Sequence, residues 1–160
     1  MVLHILKRSS QRLLLVLSVT ACRFDTRAPN GVRGEDAALQ GVATAFYGSL
    51  TRHDTAAFGR VVFPAATVLI DGGGTPATLV PARTLLEVPE HRTERNGVRI
   101  IRSEMRADGN LATARMVIAA ESTVGLGDFE ASDFLTLARR DGTWRVAHAM
   151  LGRWRLRSAP

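Results

Sequence analysis

At 160 residues and 46% apolar content, the chain is long enough to bury one core and too short for two ordinary domains. Its formal charge of +6 comes from twenty arginines and the single Lys7 set against fifteen acidic residues. Three of those positive charges (Lys7, Arg8 and Arg12) lie within the first 21 residues, which contain no acid, so the remainder carries +3. A charge that small, with no basic run interleaved with aromatics outside the C-terminal tail, argues against nucleic-acid binding.

Lys7, Arg8 and Arg12 form a charged n-region, Leu13 to Val19 a short apolar stretch, and Val19-Thr20-Ala21 leads with small residues into Cys22. The apolar run is too short to span a bilayer, which takes about 20 helical residues. Residues 1–22 resemble a bacterial lipoprotein signal peptide. The resemblance implies cleavage before Cys22, a lipid on its sulfur and an exported chain anchored to the membrane of the cell envelope, at the outer membrane if the cell has one. The alternative is an ordinary secretory signal, which would leave the chain's single cysteine unexplained. The expected organisation is a signal peptide at 1–21, lipidated Cys22 and a flexible tether through 35, and one domain over 36–157.

From Asp36, Leu39, Val42, Phe46 and Leu50 recur at helical spacing with Ala43 and Tyr47 on the shoulders of the stripe, which predicts a long amphipathic helix. Arg52-His53-Asp54 breaks it, and Asp54 can cap a second helix from Thr55 to about Arg60. Ala66 to Ile70 reads as a short strand ending in the Asp71-Gly72-Gly73-Gly74 turn, which lacks the Gly-Lys-Ser/Thr ending of a phosphate loop. Thr78 to Glu87 suggests a short third helix with Pro81 in its first turn. After a charged loop at 90–97, four strands follow at about 98–106, 111–123, 129–139 and 143–152. Their turns are Asp108-Gly109, Gly125-Leu126-Gly127 and Asp141-Gly142, and together they make an antiparallel meander.

The last hairpin is the best specified. With Asp141-Gly142 as a two-residue loop, Arg139 faces Trp144, Leu137 faces Val146, Leu135 faces His148 and Asp133 faces Met150 on one side, while Phe134, Thr136, Ala138, Arg145, Ala147 and Ala149 take the other. The first side reads as a core or pocket wall with Asp133 and His148 set diagonally into it. In the preceding hairpin, Ile101, Ser103, Met105, Ala112, Ala114, Met116 and Ile118 share a face whose small residues leave room for helices or a ligand.

Helices followed by a bent meander ending in Asp141-Gly142-Thr143-Trp144-Arg145-Val146, together with Tyr47, the His53-Asp54 turn and Phe63-Pro64-Ala65-Ala66, resemble the nuclear transport factor 2-like superfamily. Within it the chain is similar to SnoaL-like and lumazine-binding-protein-like members. The resemblance covers about residues 36–152. It implies an α+β cone of two to three N-terminal helices packed on a curved antiparallel four- to five-stranded sheet of cystatin-like type, with a pocket between them. Enzymes and non-enzymatic binding or assembly domains share that shape. Ketosteroid isomerase-like members place a carboxylate base in the first strand, where this chain has Leu69 and Ile70, with Asp71 arriving late.

Tyr47, Met116, Asp133, Leu135, Trp144 and His148 are the candidate ligand contacts. His148 beside Asp133 is either an acid/base pair or a polar pair at the rim, and Tyr47 either projects its hydroxyl into the cone or packs on the helix shoulder. His53 and His91 fall in charged turns. No metal-ligand spacing and no Ser or Cys nucleophile motif is present, and no cofactor is expected. The expected function is a non-catalytic, membrane-anchored lipoprotein whose cone binds a small apolar molecule or an envelope protein, with a homodimer through the sheet as a further partner. The alternatives are a SnoaL-like isomerase, dehydratase or cyclase acting on an apolar carbonyl compound, and an envelope interaction domain.

Overall fold

The computed structural model describes residues 32–71, 76–87, 95–122 and 128–157. The signal segment with Cys22, most of the tether, the glycine turn at 72–75, most of the charged loop with His91, and the turn at Gly125 lie outside the described residues. Helix α1 runs Val32–Arg52, beginning four residues before the expected Asp36, and α2 runs Thr55–Val61. Asp54 caps α2 as its position suggests, its carboxylate accepting from the Ala57 N–H at 2.8 Å.

Strand β1, Val62–Ile70, takes in Val62, Phe63, Pro64 and Ala65 as well as the expected residues. The predicted third helix is instead strand β2, Thr78–Pro81, followed by a short 3-10 helix over Ala82–Leu86. Two local reasons favour the strand. A residue before proline is disfavoured in the α region, which keeps Val80 extended, and β2 is needed to pair antiparallel with β1 through Val68 and Val80. The meander is present as β3 Arg95–Asp108, β4 Leu111–Ser122, β5 Asp128–Arg140 and β6 Thr143–Leu151, and β7 Arg155–Leu156 adds to β5.

The sheet is seven-stranded, larger than expected, in the order β2-β1-β6-β5-β4-β3 with β7 against β5. It is also mixed rather than wholly antiparallel, because β1 lies beside β6 and runs parallel to it. The meander fills one side of β6, and its other edge is where β1 satisfies its backbone.

Helix α1 covers the inner face. Leu39, Ala43 and Phe46 are fully buried, while Val42 and Leu50 are only partly so; the buried stripe is therefore rotated toward Ala43 and Tyr47. Ala112 and Ala114 on β4 are small and buried in the same core cluster as Phe46 of α1, whose ring centroid lies 5.9 Å from that of Phe58 of α2 in a tilted arrangement. Arg139 ties the far end together. Its guanidinium lies 5.0 Å over the Trp144 ring, pairs with Glu35 of α1 at 3.0 Å and donates to the Gly109 carbonyl.

Both meander turns with described residues carry positive φ. The β3–β4 loop is Gly109-Asn110, because Asp108 pairs with Leu111; this moves the partners by two residues and preserves the faces. In that hairpin, however, a bulge between Ile100 and Arg102 turns Ile101 outward, 40% exposed, and Ile100 takes the inner place. At the β5–β6 turn Asp141 and Gly142 have φ of 53° and 75°, the pair of left-handed residues that a two-residue hairpin loop demands. Gly142→Val should strain this turn and cost about 1–3 kcal/mol, read as a lowered urea midpoint at constant m-value; an unchanged midpoint would mean the loop tolerates a branched residue there.

Candidate functional site

Tyr47 follows Phe46 on α1 and points its hydroxyl at β5, where the inward alternation Ala131, Asp133, Leu135 sets a carboxylate into an otherwise apolar face. Tyr47 Oη donates to Asp133 Oδ2 at 2.9 Å, and the Gly152 N–H, just past β6, donates to Oδ1 at 2.9 Å. Asp133 is 2% exposed and Tyr47 4%. A carboxylate this deep is costly unless donors replace its water, and these two do so. Burial first, and then the charge of Asp133 and the hydrogen bond to it, push the Tyr47 phenol well above its ordinary range. Tyr47 is therefore a neutral donor whose proton is committed to Asp133.

Gly152 is fixed by space as well as by its hydrogen bond. A Cβ there would run into the backbone carbonyl oxygen of Ser132, so only glycine lets the chain leaving β6 lie this close to β5.

These three residues line a cavity of about 100 Å³ between the C-terminal end of α1, the 3-10 helix and the ends of β3, β4 and β6. Leu50, Leu85, Val98, Ile118, Leu151 and Trp154 make its apolar wall, and Thr51 and His53 complete it. Ligand pockets for drug-sized molecules run from roughly 300 Å³ upward, so this volume suits a single ring or one end of something longer. Two wider hollows, of about 430 Å³ beside Phe58 and Phe63 and about 310 Å³ beside Gln40 and Met105, are surface depressions away from the buried pair.

The six candidate contacts separate. Tyr47 and Asp133 meet in the cavity, while Met116, Leu135 and Trp144, at 0%, 1% and 5% exposure, are packed in the core and do not line it. The expected His148 and Asp133 pair is not formed. Leu137 pairs with Val146 but Thr136 pairs with His148, so an extra residue, Ala147, sits in β6 as a bulge. The bulge turns His148 to the outer face, where its Nδ1 lies 2.9 Å from Thr67 Oγ1. Met150 goes outward with it, 44% exposed beside Phe134, and Ala149 takes the inner place.

His53 is the residue that sequence reading passed over. It sits between the helices at φ 53°, lines the cavity, and has a solvent-sealed Nδ1 without a hydrogen-bond partner among the described residues. The available signal was its place at a helix break, since histidine is among the few side chains enriched in the left-handed region. Among the described residues no group of three His, Cys, Asp or Glu side chains could hold a metal ion.

Residues 34–151 match the model of the family described as "Putative lumazine-binding". The chain belongs to that family. No curated protein matches it. Solved structures share the fold of this family member at low identity. A nuclear transport factor 2-like protein of unknown function from Silicibacter pomeroyi is 20% identical, with 78% of this chain and 98% of that one covered and a TM-score of 0.58. A "putative ketosteroid isomerase" from Shewanella frigidimarina is 17% identical over 74% and 98%, at 0.60. The association domain of C. elegans CaMKII is 9% identical over 78% and 100%, at 0.64. At such identities the likeness shows the fold alone: helices on a curved sheet, as the sequence resemblance implies.

Proposed function

We propose that this family member holds a small molecule by one ring or one apolar end in the Tyr47–Asp133 cavity and retains it without converting it. The observation that supports this reading is the buried carboxylate itself, with both oxygens already accepting a hydrogen bond and the neighbouring phenol's proton engaged by one of them. Turnover by proton transfer needs a base and a donor free to follow the reacting atoms. Asp71, the acid nearest the position that isomerase-like relatives use, is exposed at the end of β1 and does not line the cavity.

The family description makes lumazine the first probe. One of its rings matches the cavity volume, and Trp154 in the wall supplies a fluorescence signal. Lumazine should quench the wild type, with affinity about tenfold or more weaker in Asp133→Asn, the usual scale for a hydrogen bond to a charged group. Small molecules released by denaturing the purified chain, read by mass spectrometry, provide the unbiased counterpart. Absence of both quenching and a released compound would refute the proposal. Conversion of a carbonyl substrate that Asp133→Asn abolishes would instead favour the isomerase, dehydratase or cyclase alternative.

The proposal includes export and anchoring through a lipid on Cys22, supported by the charged n-region, the short apolar run and the small residues before a lone cysteine. Acyl chains contribute about 0.8 kcal/mol per buried CH₂, so several make attachment effectively permanent. Cys22→Ser should therefore move the protein from the membrane fraction to the soluble one; unchanged partitioning would refute the lipid anchor. Self-association through the sheet, or docking of an envelope protein there, is supported by the exposed outer-face neighbours Phe134 and Met150, at 49% and 44%.

A further inference from the structure

We infer that the chain leaving β6, residues 153–157, is a movable wall of the cavity, which swings off β5 about Gly152 and admits a guest of two fused rings. The inference rests on the reading that the cavity holds a small molecule. It raises the size class of that molecule above the single ring that fits while the wall is closed.

Strand β6 ends at Leu151, and the edge it vacates on β5 is taken up again by β7, where Arg155 pairs with Glu130 and Leu156 with Phe129. Between the two the chain detours, and the Trp154 side chain in that detour lines the cavity. The hinge end is fixed. The Asp71 N–H donates to the Leu151 carbonyl at 3.2 Å, and the Gly152 N–H to Asp133 Oδ1 at 2.9 Å. Beyond Gly152 the backbone ties to β5 are slight: the two ladder pairs of β7 and the Arg157 N–H on the Asp128 carbonyl at 2.8 Å. The Arg157–Asp128 ion pair, at 3.9 Å between side chains 48% and 37% exposed, adds little. Arg153, Arg155 and Leu156 all face water. The other described parts of the wall are held more firmly: Leu85 and Ile118 are buried, Tyr47 belongs to the long helix α1, and β4 is paired along both edges. Local opening starts where buried apolar contacts and ladder bonds are fewest, which here is the strap after Gly152.

Trp154 sets the size of the opened site. Its indole, half-buried against the core cluster, is itself two fused rings, so its withdrawal leaves room for a planar bicycle where the closed cavity of about 100 Å³ takes one ring. The rings of the guest then take the place of the indole on the apolar wall, and the burial that Trp154 gives up is recovered in the guest.

The test locks the strap with a disulfide. Glu130→Cys and Arg155→Cys, in a Cys22→Ser chain so that no other thiol competes, put cysteines on facing residues of an antiparallel pair. The Cα atoms of such a pair lie about 4.5–5.5 Å apart, within disulfide reach. The probes are lumazine and uracil, which is lumazine without its second ring, and the methyl signals of Val98, Ile118 and Leu151 locate binding in the cavity. Oxidation should weaken lumazine at least about tenfold and leave uracil within about twofold, and reduction should reverse the loss. Adding Trp154→Ala to the oxidised chain should restore lumazine, since the second ring then has its room without movement of the strap. In the wild type, lumazine but not uracil should speed exchange of the Arg157 N–H at least about fivefold. Undiminished lumazine binding after oxidation, equal loss of both probes, no rescue by Trp154→Ala, or unchanged Arg157 exchange would overturn the inference and leave the cavity reading standing. Failure of lumazine to bind the reduced chain would also overturn it, and the compounds released on denaturation then decide the cavity reading separately.

Discussion

Gly152→Ala should be among the most damaging single-methyl changes in the chain, lowering stability by about 2–4 kcal/mol and the melting temperature by roughly 10 °C. The added carbon meets the Ser132 carbonyl oxygen, which belongs to β5 backbone and cannot swing aside as a flexible side chain would. Relief requires the segment after β6 to move off the sheet, and that movement draws the Gly152 N–H away from Asp133 Oδ1. A buried carboxylate then loses one of the donors that make its burial tolerable, so steric and electrostatic costs arise from one displacement and are not independent. Thermal unfolding followed by circular dichroism measures the effect. A variant melting within a degree or two of wild type would mean that the chain after β6 accommodates a side chain without disturbing Asp133.

Alkaline titration should expose Tyr47 as a phenol that cannot ionise in place. In the folded state burial, Asp133 and the hydrogen bond between them hold it neutral well above its ordinary range, whereas in the unfolded chain it ionises at about pH 10. Below that pH both states carry the proton and Tyr47 adds no slope. Above it the unfolded state has lost a proton that the fold retains, so stability falls with rising pH by about 1.4 kcal/mol per unit. Tyr47 is the chain's single tyrosine, so phenolate absorbance reports this one site. It should stay flat past pH 10 and then rise in a single step coincident with loss of circular dichroism. A gradual rise centred near pH 10 in folded protein would show the hydroxyl in contact with water rather than with Asp133. Tyr47→Phe should remove the alkaline dependence and cost about 1.5–3 kcal/mol at neutral pH, because Asp133 would be left with one fewer donor.

Features with a local cause are legible in the residues themselves. Asp141-Gly142 specifies a two-residue hairpin because few other pairs accept two left-handed residues, and the register beside it follows, with Arg139 opposite Trp144 and Leu137 opposite Val146. Asp54 specifies a helix start because its carboxylate reaches free N–H groups a turn ahead. The apolar spacing from Leu39 to Leu50 specifies a helix because one face has to be buried, though which edge of the stripe lies deepest was decided by the sheet beneath it.

The tertiary structure decided what depends on partners distant in the chain. The bulge at Ala147 has no composition that marks it among Val146-Ala147-His148-Ala149; it arises where β6 pairs with β5 on one edge and β1 on the other. A strand's faces alternate residue by residue, so that one extra residue sends His148 and Met150 outward and separates His148 from Asp133. Likewise the carboxylate of Asp133 finds its donors 86 residues away in Tyr47 and 19 residues away in Gly152, separations over which no periodicity carries information. His53 reads as a charged turn until the closure of α1 and the arrival of Leu85, Val98 and Trp154 from three other segments enclose it in a cavity. Turns and caps are settled by the residues next to them, whereas a buried polar site exists only once the core has closed around it.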